Sequence, residues 1–347
     1  MSACESQGGR LCIRHQEGTS KRYTVYLACV TLAYFAALQP TSLTETSDTM
    51  ASSTTTTSSP TGILPDDFLA APSPNLTASH IDFTKTEIPQ YAGLYAVILD
   101  NVLSQEECDT LLAAAEATAP EKGWERAMVN IGAGRQAMYL ETRNCGRIIW
   151  DSEEVVSRLW KRIEQVPEVQ DIVRLEHRPK ITGSGPMNRD EVWVATRPNE
   201  RMRFLKYVGG EYFRPHCDGT YERDDGSERS YMTIHLYLND TGMPPESELD
   251  KLSPEIRLEA VQGGLVGGAT TFHYYNEKQR VDVEPKAGRI LLFQHRFLLH
   301  SGDDVVEGTK YTMRTDLMYR LETDEERSNR SLKQKLVSRL AKAKTKN

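Results

Sequence analysis

No two of the six cysteines stand in a C-x-x-C pair; Cys4, Cys12, Cys29, Cys108, Cys145 and Cys217 are scattered, three of them within the first 29 residues. That spacing excludes a cysteine-held zinc site and a disulfide-framed small domain. A surplus of positive charge is also missing: 49 acidic against 42 basic residues give a net charge of -7. Without a Lys/Arg excess there is no electrostatic footprint for a phosphate backbone, so nucleic acid is not an expected partner. Long apolar runs are scarce as well. The stretch Tyr23 to Leu38 (YTVYLACVTLAYFAAL) is uncharged for 16 residues, short of the roughly 20 that a spanning helix needs. The remaining balance, 39% hydrophobic and 26% charged over 347 residues, rules out collagenous and wholly disordered chains.

What is present divides unevenly. Residues 1–62 form a leader: a polar start with Arg10, Arg14, Lys21 and Arg22, the apolar run 23–38, then Thr41 to Thr61, where 15 of 21 residues are Ser or Thr. Such a tract buries too little apolar surface to offset its ordering entropy and is expected to be a disordered stem. A basic flank, an apolar run and a stem resemble a signal anchor or signal peptide that leads to the endoplasmic reticulum membrane or lumen. The marginal length of the run, with no small-x-small cleavage site behind it, keeps a cytoplasmic location as the alternative. Sequons at Asn75, Asn239 and Asn329 are compatible with the lumen.

Residues 63–200 read as helical support and outer strands of a catalytic domain. Tyr95 to Leu99 is a strand candidate, and Ser104 with Glu107 forms a capping box ahead of a helix over Cys108 to Ala117. A second helix is expected from Asp151, capped by Glu154, with Val155, Val156, Leu159, Trp160 and Ile163 at helical spacing. Both should pack outside a sheet, and Met128 and Trp160 read as core. In 201–322 the pattern changes to short β segments: 202–207, 231–238, 269–274, 280–283, 289–293, 298–300 and 311–319. The expected fold is mainly β with flanking helices, a double-stranded β-helix (jelly roll). Polar insertions at 219–230 and 241–264, the second with a short helix at 254–261, read as lids or binding loops. Residues 323–347 form a basic tail with Leu332, Leu336 and Leu340 at helical spacing, read as solvated or as a partner or membrane-surface helix.

The chemistry sits in the β region. His216-Cys-Asp218 is an H-x-D pair whose imidazole and carboxylate share one face at a strand end, turning Cys217 away. His300, 82 residues beyond Asp218, supplies a third donor; His295, five residues earlier, is a rival. Two imidazoles and a carboxylate make the facial triad of non-haem Fe(II) oxygenases, although a zinc hydrolase uses the same ligand types. Lys310, ten residues past His300, shares one strand face with Thr312 and Arg314. A cation inside a barrel demands an anionic partner, unless these are edge-strand charges turned to solvent. Arg143-Asn-Cys-Gly-Arg147 is a polar cluster that reads either as lining for a substrate mouth or as a solvated turn.

Residues 203–319 resemble the iron- and 2-oxoglutarate-dependent dioxygenase domain of the prolyl 4-hydroxylase alpha-subunit catalytic-domain family. The resemblance lies in the block from Arg203 through Tyr207 to His216-Cys-Asp218, the run Leu236-Tyr237-Leu238-Asn239, the turn Gly267-Gly268-Ala-Thr270, and Pro285-Lys-Ala-Gly288 with His300 and Lys310 following. It implies that His216, Asp218 and His300 bind Fe(II), and that Lys310 or Arg314 holds the distal carboxylate of 2-oxoglutarate, with Tyr207 and Tyr237 as hydroxyl donors. O2 is then the second cosubstrate and ascorbate the reductant. The implied reaction hydroxylates an unactivated C–H while 2-oxoglutarate is decarboxylated to succinate and CO2. The implied substrate is a prolyl residue in a peptide or protein, with a small metabolite as an alternative and a non-catalytic jelly-roll binding protein as another. No counterpart of the long peptide-binding segment of animal collagen hydroxylases is evident, so collagen itself is not the expected substrate.

Overall fold

Period-two alternation through the second half of the chain decides the architecture, because it gives each long strand one apolar face and one mixed face. The computed structural model describes residues 64–344 apart from 74, 120, 133–134, 241–250, 252, 255, 257–263 and 276–277. By packing, the chain divides into units 1–57 and 58–347, and every described residue belongs to the second. The leader with its apolar run, and most of the insertion at 241–264 with its expected helix, lie outside the described residues. Among the described residues, no helix is long and apolar enough to cross a membrane.

The chain opens with β1 (Thr77–His80), β2 (Ala96–Asp100) and helix α1 (Gln105–Ala117). Short strands follow: β3 (Glu125–Arg126), β4 (Val129–Gly132), β5 (Arg135–Ala137), β6 (Arg143–Asn144) and β7 (Gly146–Asp151). Helices α2 (Glu153–Ile163) and α3 (Pro167–Val173) lead to β8 (Arg174–Leu175), then α4 (Pro179–Thr182) and α5 (Ser184–Asn188) to β9 (Trp193–Pro198). The β region proper holds β10 (Arg201–Val208), β11 (Tyr212–His216), β12 (Arg229–Tyr237), β13 (Val266–Gly267), β14 (Thr270–His273) and β15 (Arg280–Val283). It closes with β16 (Ile290–Gln294), β17 (His300–Gly302), β18 (Val305–Glu307) and β19 (Thr309–Leu321), before helix α6 (Asp324–Lys344).

Ten strands form a large sheet, ordered β1-β2-β16-β12-β19-β10-β7-β3 with β9 and β8 attached at β19; five form a small one, β15-β14-β17-β11-β6. From β10 onward the chain steps back and forth between the two: β10 large, β11 small, β12 large, β14 small, β16 large, β17 small, β19 large. That alternation of antiparallel strands is the jelly roll. The large sheet is covered on both faces. Met202, Phe204, Ile234, Leu236, Ile290, Leu292, Met313 and Leu317 pack outward into one core with Leu111, Val156, Leu159 and Ile163 of the helices. The alternate residues Leu291 and Phe293 turn inward against Phe272 and Val283 of the small sheet. At about 25 cal/mol per Å² of apolar area, these two layers hold the sheets at the spacing that the site requires.

Local signals explain most boundaries. Ser104 accepts from Glu107 N while the Glu107 carboxylate accepts from Ser104 N, the expected capping box. Gly288 (φ +72°) turns the chain into β16 where an added Cβ would sit 1.9 Å from the Leu103 carbonyl oxygen, so no other residue fits. Three expectations are corrected. The second helix is capped by Ser152, whose hydroxyl accepts from Val155 N, because its side chain reaches the free N–H that Asp151 does not; Asp151 ends β7 and pairs with Arg201. The segment expected as a strand over 298–300 begins its ladder only at His300: Phe297 adopts φ +67°, and the Leu298 carbonyl accepts from the His300 ring. Trp160 is buried in the helix-side core as expected, whereas Met128 is half-buried.

The insertion at 219–230 is tied down. Arg223 pairs with Glu200 and Glu228, and Ser230 N donates to the Tyr221 carbonyl. Residues 64–200 are richer in strands than the sequence suggested, contributing β1 to β9. The tail is helical, and its first turns dock through Arg327 to Asp190 and Arg330 to Glu322.

Candidate active site

His216 ends β11 and His300 opens β17, paired strands of the small sheet, and the two residues stand opposite each other in the register. Their ring centroids are 4.4 Å apart. Asp218 follows two positions after the strand end and sits between them, Oδ1 3.7 Å from His216 Nε2 and Oδ2 3.7 Å from His300 Nε2. One donor atom from each of the three lies within 4.8 Å of the others. Each imidazole is oriented from behind: His216 Nδ1 is 2.9 Å from the Arg214 carbonyl oxygen, and His300 Nδ1 is 3.0 Å from that of Leu298. A carbonyl can only accept, so Nδ1 carries the proton and Nε2 presents a lone pair to the site. Burial, with His216 adjacent, pushes His300 down to about 3, which keeps it neutral as a ligand must be.

Asp218 comes from the small sheet but is gripped by the large one. Thr233 Oγ1 donates to its Oδ2 at 2.5 Å, and Arg314 Nη2 lies 2.9 Å from its Oδ1. Thr233 on β12 faces Asp316 on β19, and His235 faces Arg314, so period two puts all four on the inner face. Arg314 Nη2 also lies 3.2 Å from Asp316. Burial opposes ionisation of Asp218, yet Arg314 and the flanking imidazoles hold its carboxyl well below the usual carboxylate range. Burial likewise opposes ionisation of Asp316, which Arg314 holds down to about 2. Two imidazoles with Nε2 turned to the site and one ionised carboxylate, on one side of an open cavity, fit the donor set of Fe(II).

The same cavity is lined by Arg143, Leu205, Tyr207, Phe213, His235, Thr270, Phe293 and Lys310 besides the groups above. Lys310 is 1% exposed. Gly268 (φ +76°) makes room for its stem, since a Cβ there would meet Lys310 Cδ at 3.1 Å. Its Nζ lies 5.2 Å from the Tyr207 ring and 5.7 Å from the Tyr237 ring. Among the described residues no carboxylate pairs with it, and burial pushes it down to about 8. Lys310 and Arg314 thus share a strand face but differ in employment: Arg314 is engaged by two carboxylates, while Lys310 faces the cavity without one.

Other expected site residues fall as follows. Tyr207 lines the cavity. Tyr237 is fully buried beneath it, its hydroxyl donating to Thr270 Oγ1 at 2.7 Å, so Thr270 presents the polar atom to the cavity. His295 is buried 3.5 Å from Asp316 and is not among the cavity-lining residues. Arg143 turns into the cavity, whereas Arg147 is buried beside Gln136. Cys217 is exposed. Sequence reasoning missed Thr233, His235 and Asp316. Their signal was available in period two along β12 and β19, because Thr233 and His235 share a face with Tyr237, and Asp316 shares one with Arg314. Burial, with Lys310 and Arg314 nearby, keeps His235 well below the usual imidazole range and therefore neutral.

Residues 202–315 match the family model of the 2OG-Fe(II) oxygenase superfamily. This stretch is a 2OG-Fe(II) oxygenase domain. Similar solved structures include a viral collagen prolyl hydroxylase from Paramecium Bursaria Chlorella virus-1 in complex with 2OG, at 18% identity and TM-score 0.36 over 66% of this chain and 97% of that one. A Pseudomonas putida prolyl-4-hydroxylase is similar at 15% identity and TM-score 0.38, over 68% of this chain and 97% of that one. A Trichoplax adhaerens prolyl hydroxylase, in complex with a hypoxia inducible factor oxygen degradation domain peptide fragment, is similar at 17% identity and TM-score 0.37, over 70% and 91%. A search of the curated proteins finds no match.

Proposed function

We propose that His216, Asp218 and His300 hold Fe(II), that Lys310 with Tyr207 takes the distal carboxylate of 2-oxoglutarate, and that the enzyme hydroxylates an unactivated C–H of a prolyl residue in a peptide or protein. One observation carries the reading: a three-donor set and a buried lysine without a carboxylate open onto one cavity. The metal, when bound, supplies the redox chemistry that couples decarboxylation of 2-oxoglutarate to hydroxylation. The residues supply the rest. The carbonyls of Arg214 and Leu298 fix both imidazole tautomers, Thr233 and Arg314 fix the carboxylate, and Lys310 meets a carboxylate through charge-assisted hydrogen bonds. Phe213, Phe293 and Leu205 on the cavity wall exclude water. Ascorbate serves as reductant in this reading, and the substrate assignment rests on the resemblance of residues 203–319 to prolyl 4-hydroxylases.

The test is succinate release from 2-oxoglutarate with iron and ascorbate present, with and without prolyl peptides. His216→Ala and Asp218→Ala should abolish it, and normal succinate production by either variant would sink the metal assignment. We also propose that the leader directs the chain to the endoplasmic reticulum; microscopy of the full chain beside one starting at Gly62 checks this, and identical distributions would refute it.

A further inference from the structure

Arg143, from the cluster Arg143-Asn-Cys-Gly-Arg147, is left without a task once the metal and Lys310 are assigned. It sits on β6, the edge strand of the small sheet, paired with Phe213. An edge arginine normally turns to solvent, yet this one is 8% exposed and turns into the cavity. Its Cζ lies 4.5 Å over the Phe213 ring, and Phe213 in turn stacks on His216 at 3.7 Å. Nη1 donates to the Met128 carbonyl at 3.4 Å, a weak contact, and Nε is buried with no partner. Among the described residues no carboxylate pairs with it. A buried guanidinium in that condition is unfavourable unless an anion completes it.

The surroundings indicate which anion. The Tyr207 hydroxyl lies beside Arg143 and Cys145, and Lys310 Nζ is 5.2 Å from the same tyrosine ring. Cys145 also neighbours Lys310 electrostatically. Arg143 and Lys310 therefore flank one tyrosine and one cysteine, and both lack a carboxylate. Arg147, 6% exposed, is a further cation close enough to Arg143 for the two to repel. A guanidinium fork and an ammonium together match the two oxygens of a carboxylate better than either alone.

We propose that Arg143 is a second anchor for the distal carboxylate of 2-oxoglutarate, acting with Lys310 and Tyr207. The inference rests on the reading above that 2-oxoglutarate occupies this cavity. It makes the cationic end a three-residue clamp, assembled from β6 and from β10 and β19, so cosubstrate binding ties the edge of the small sheet to the large one.

The test uses the full chain loaded with Mn(II), which permits binding without turnover, and calorimetric titration with two ligands: 2-oxoglutarate, and 2-oxopentanoate, which has a methyl group where 2-oxoglutarate has its distal carboxylate. Arg143→Gln should weaken 2-oxoglutarate at least tenfold and leave 2-oxopentanoate within twofold, with Arg143→Lys recovering part of the loss. In the iron enzyme the KM for 2-oxoglutarate should rise while kcat stays within threefold. Equal losses for both ligands, or no loss for either, overturn the proposal, and so does an Arg143→Lys variant that folds and binds Mn(II) but behaves like Arg143→Gln. Failure of the wild-type chain to bind 2-oxoglutarate at all would refute the cosubstrate reading itself, and the clamp with it.

Discussion

At the Asp218 end of the cavity each charge has a counter-charge, with Arg314 bridging Asp218 and Asp316; at the Lys310 end two cations flank Tyr207 with no carboxylate paired to either among the described residues. Both ends draw on the inner face of β19, which carries Lys310 and Arg314, so strand face alone does not separate them. The difference lies in what must be ready beforehand. A metal-binding carboxylate has to be ionised and correctly aimed before the ion arrives, and partners across the sandwich achieve that. A site for an anion is instead left incomplete, because a resident carboxylate would compete with the ligand.

Breaking the paired end should have the largest effect. Asp218→Ala removes a proposed ligand and leaves Arg314 facing the vacancy, so metal affinity should fall by more than the roughly 10- to 100-fold typical of losing an outer-shell partner. Metal analysis of the dialysed protein checks it, and stoichiometric iron would contradict the role. Breaking the open end should leave metal binding intact. Lys310→Ala removes a buried charge-assisted contact of about 1.5–3 kcal/mol, so 2-oxoglutarate affinity should drop roughly 10- to 150-fold. A drop of that size for 2-oxopentanoate too would show that the lysine acts on the metal end instead.

The open end should also be the pH-sensitive one. Burial depresses Lys310 to about 8, so its ammonium is present below that pH and lost above it. A dianion binds the ammonium form, and binding takes up a proton once the free site has lost it. Affinity for 2-oxoglutarate should therefore be flat below about pH 8 and fall by up to tenfold per unit above it, less steeply while Arg143 remains. Calorimetry in buffers of differing ionisation enthalpy reads the proton uptake directly. An affinity that rises from pH 7 to 9 would place the titrating group elsewhere.

The contrast was half legible in the sequence. Period two on β19 was enough to put Lys310 and Arg314 on one inner face, because a thirteen-residue strand carries the alternation far. It could not say that Arg314 would be spent on Asp218, since that contact joins the two sheets and depends on their packing. The choice of His300 over His295 rested on spacing, and the structure groups His216, Asp218 and His300. His235 was passed over because a histidine inside an apolar strand looks like core: period two sets it on one face with Thr233 and Tyr237, but that this face lines the cavity follows from the packing of the sheets. Strands β3 to β8 were mostly missed for a simpler reason: most are two to four residues long, too short to show a period.

The smallest effect tests the buried layer under the open end. Tyr237 was expected to donate to the cosubstrate, but its hydroxyl donates to Thr270 Oγ1 at 2.7 Å and lies beneath the cavity. Tyr237→Phe should thus cost stability, about 1 kcal/mol for one net buried hydrogen bond, read as a lower denaturation midpoint. The KM for 2-oxoglutarate should stay within twofold, because Thr270 keeps its hydroxyl and gains freedom to turn it toward the carboxylate. Tyr207→Phe is the matched control, since Tyr207 lines the cavity and its hydroxyl lies beside Arg143. There the KM should rise severalfold with little change in stability. If the two tyrosines exchange these phenotypes, the carboxylate sits deeper, on the Tyr237 side of Lys310, and the clamp is built around the other ring.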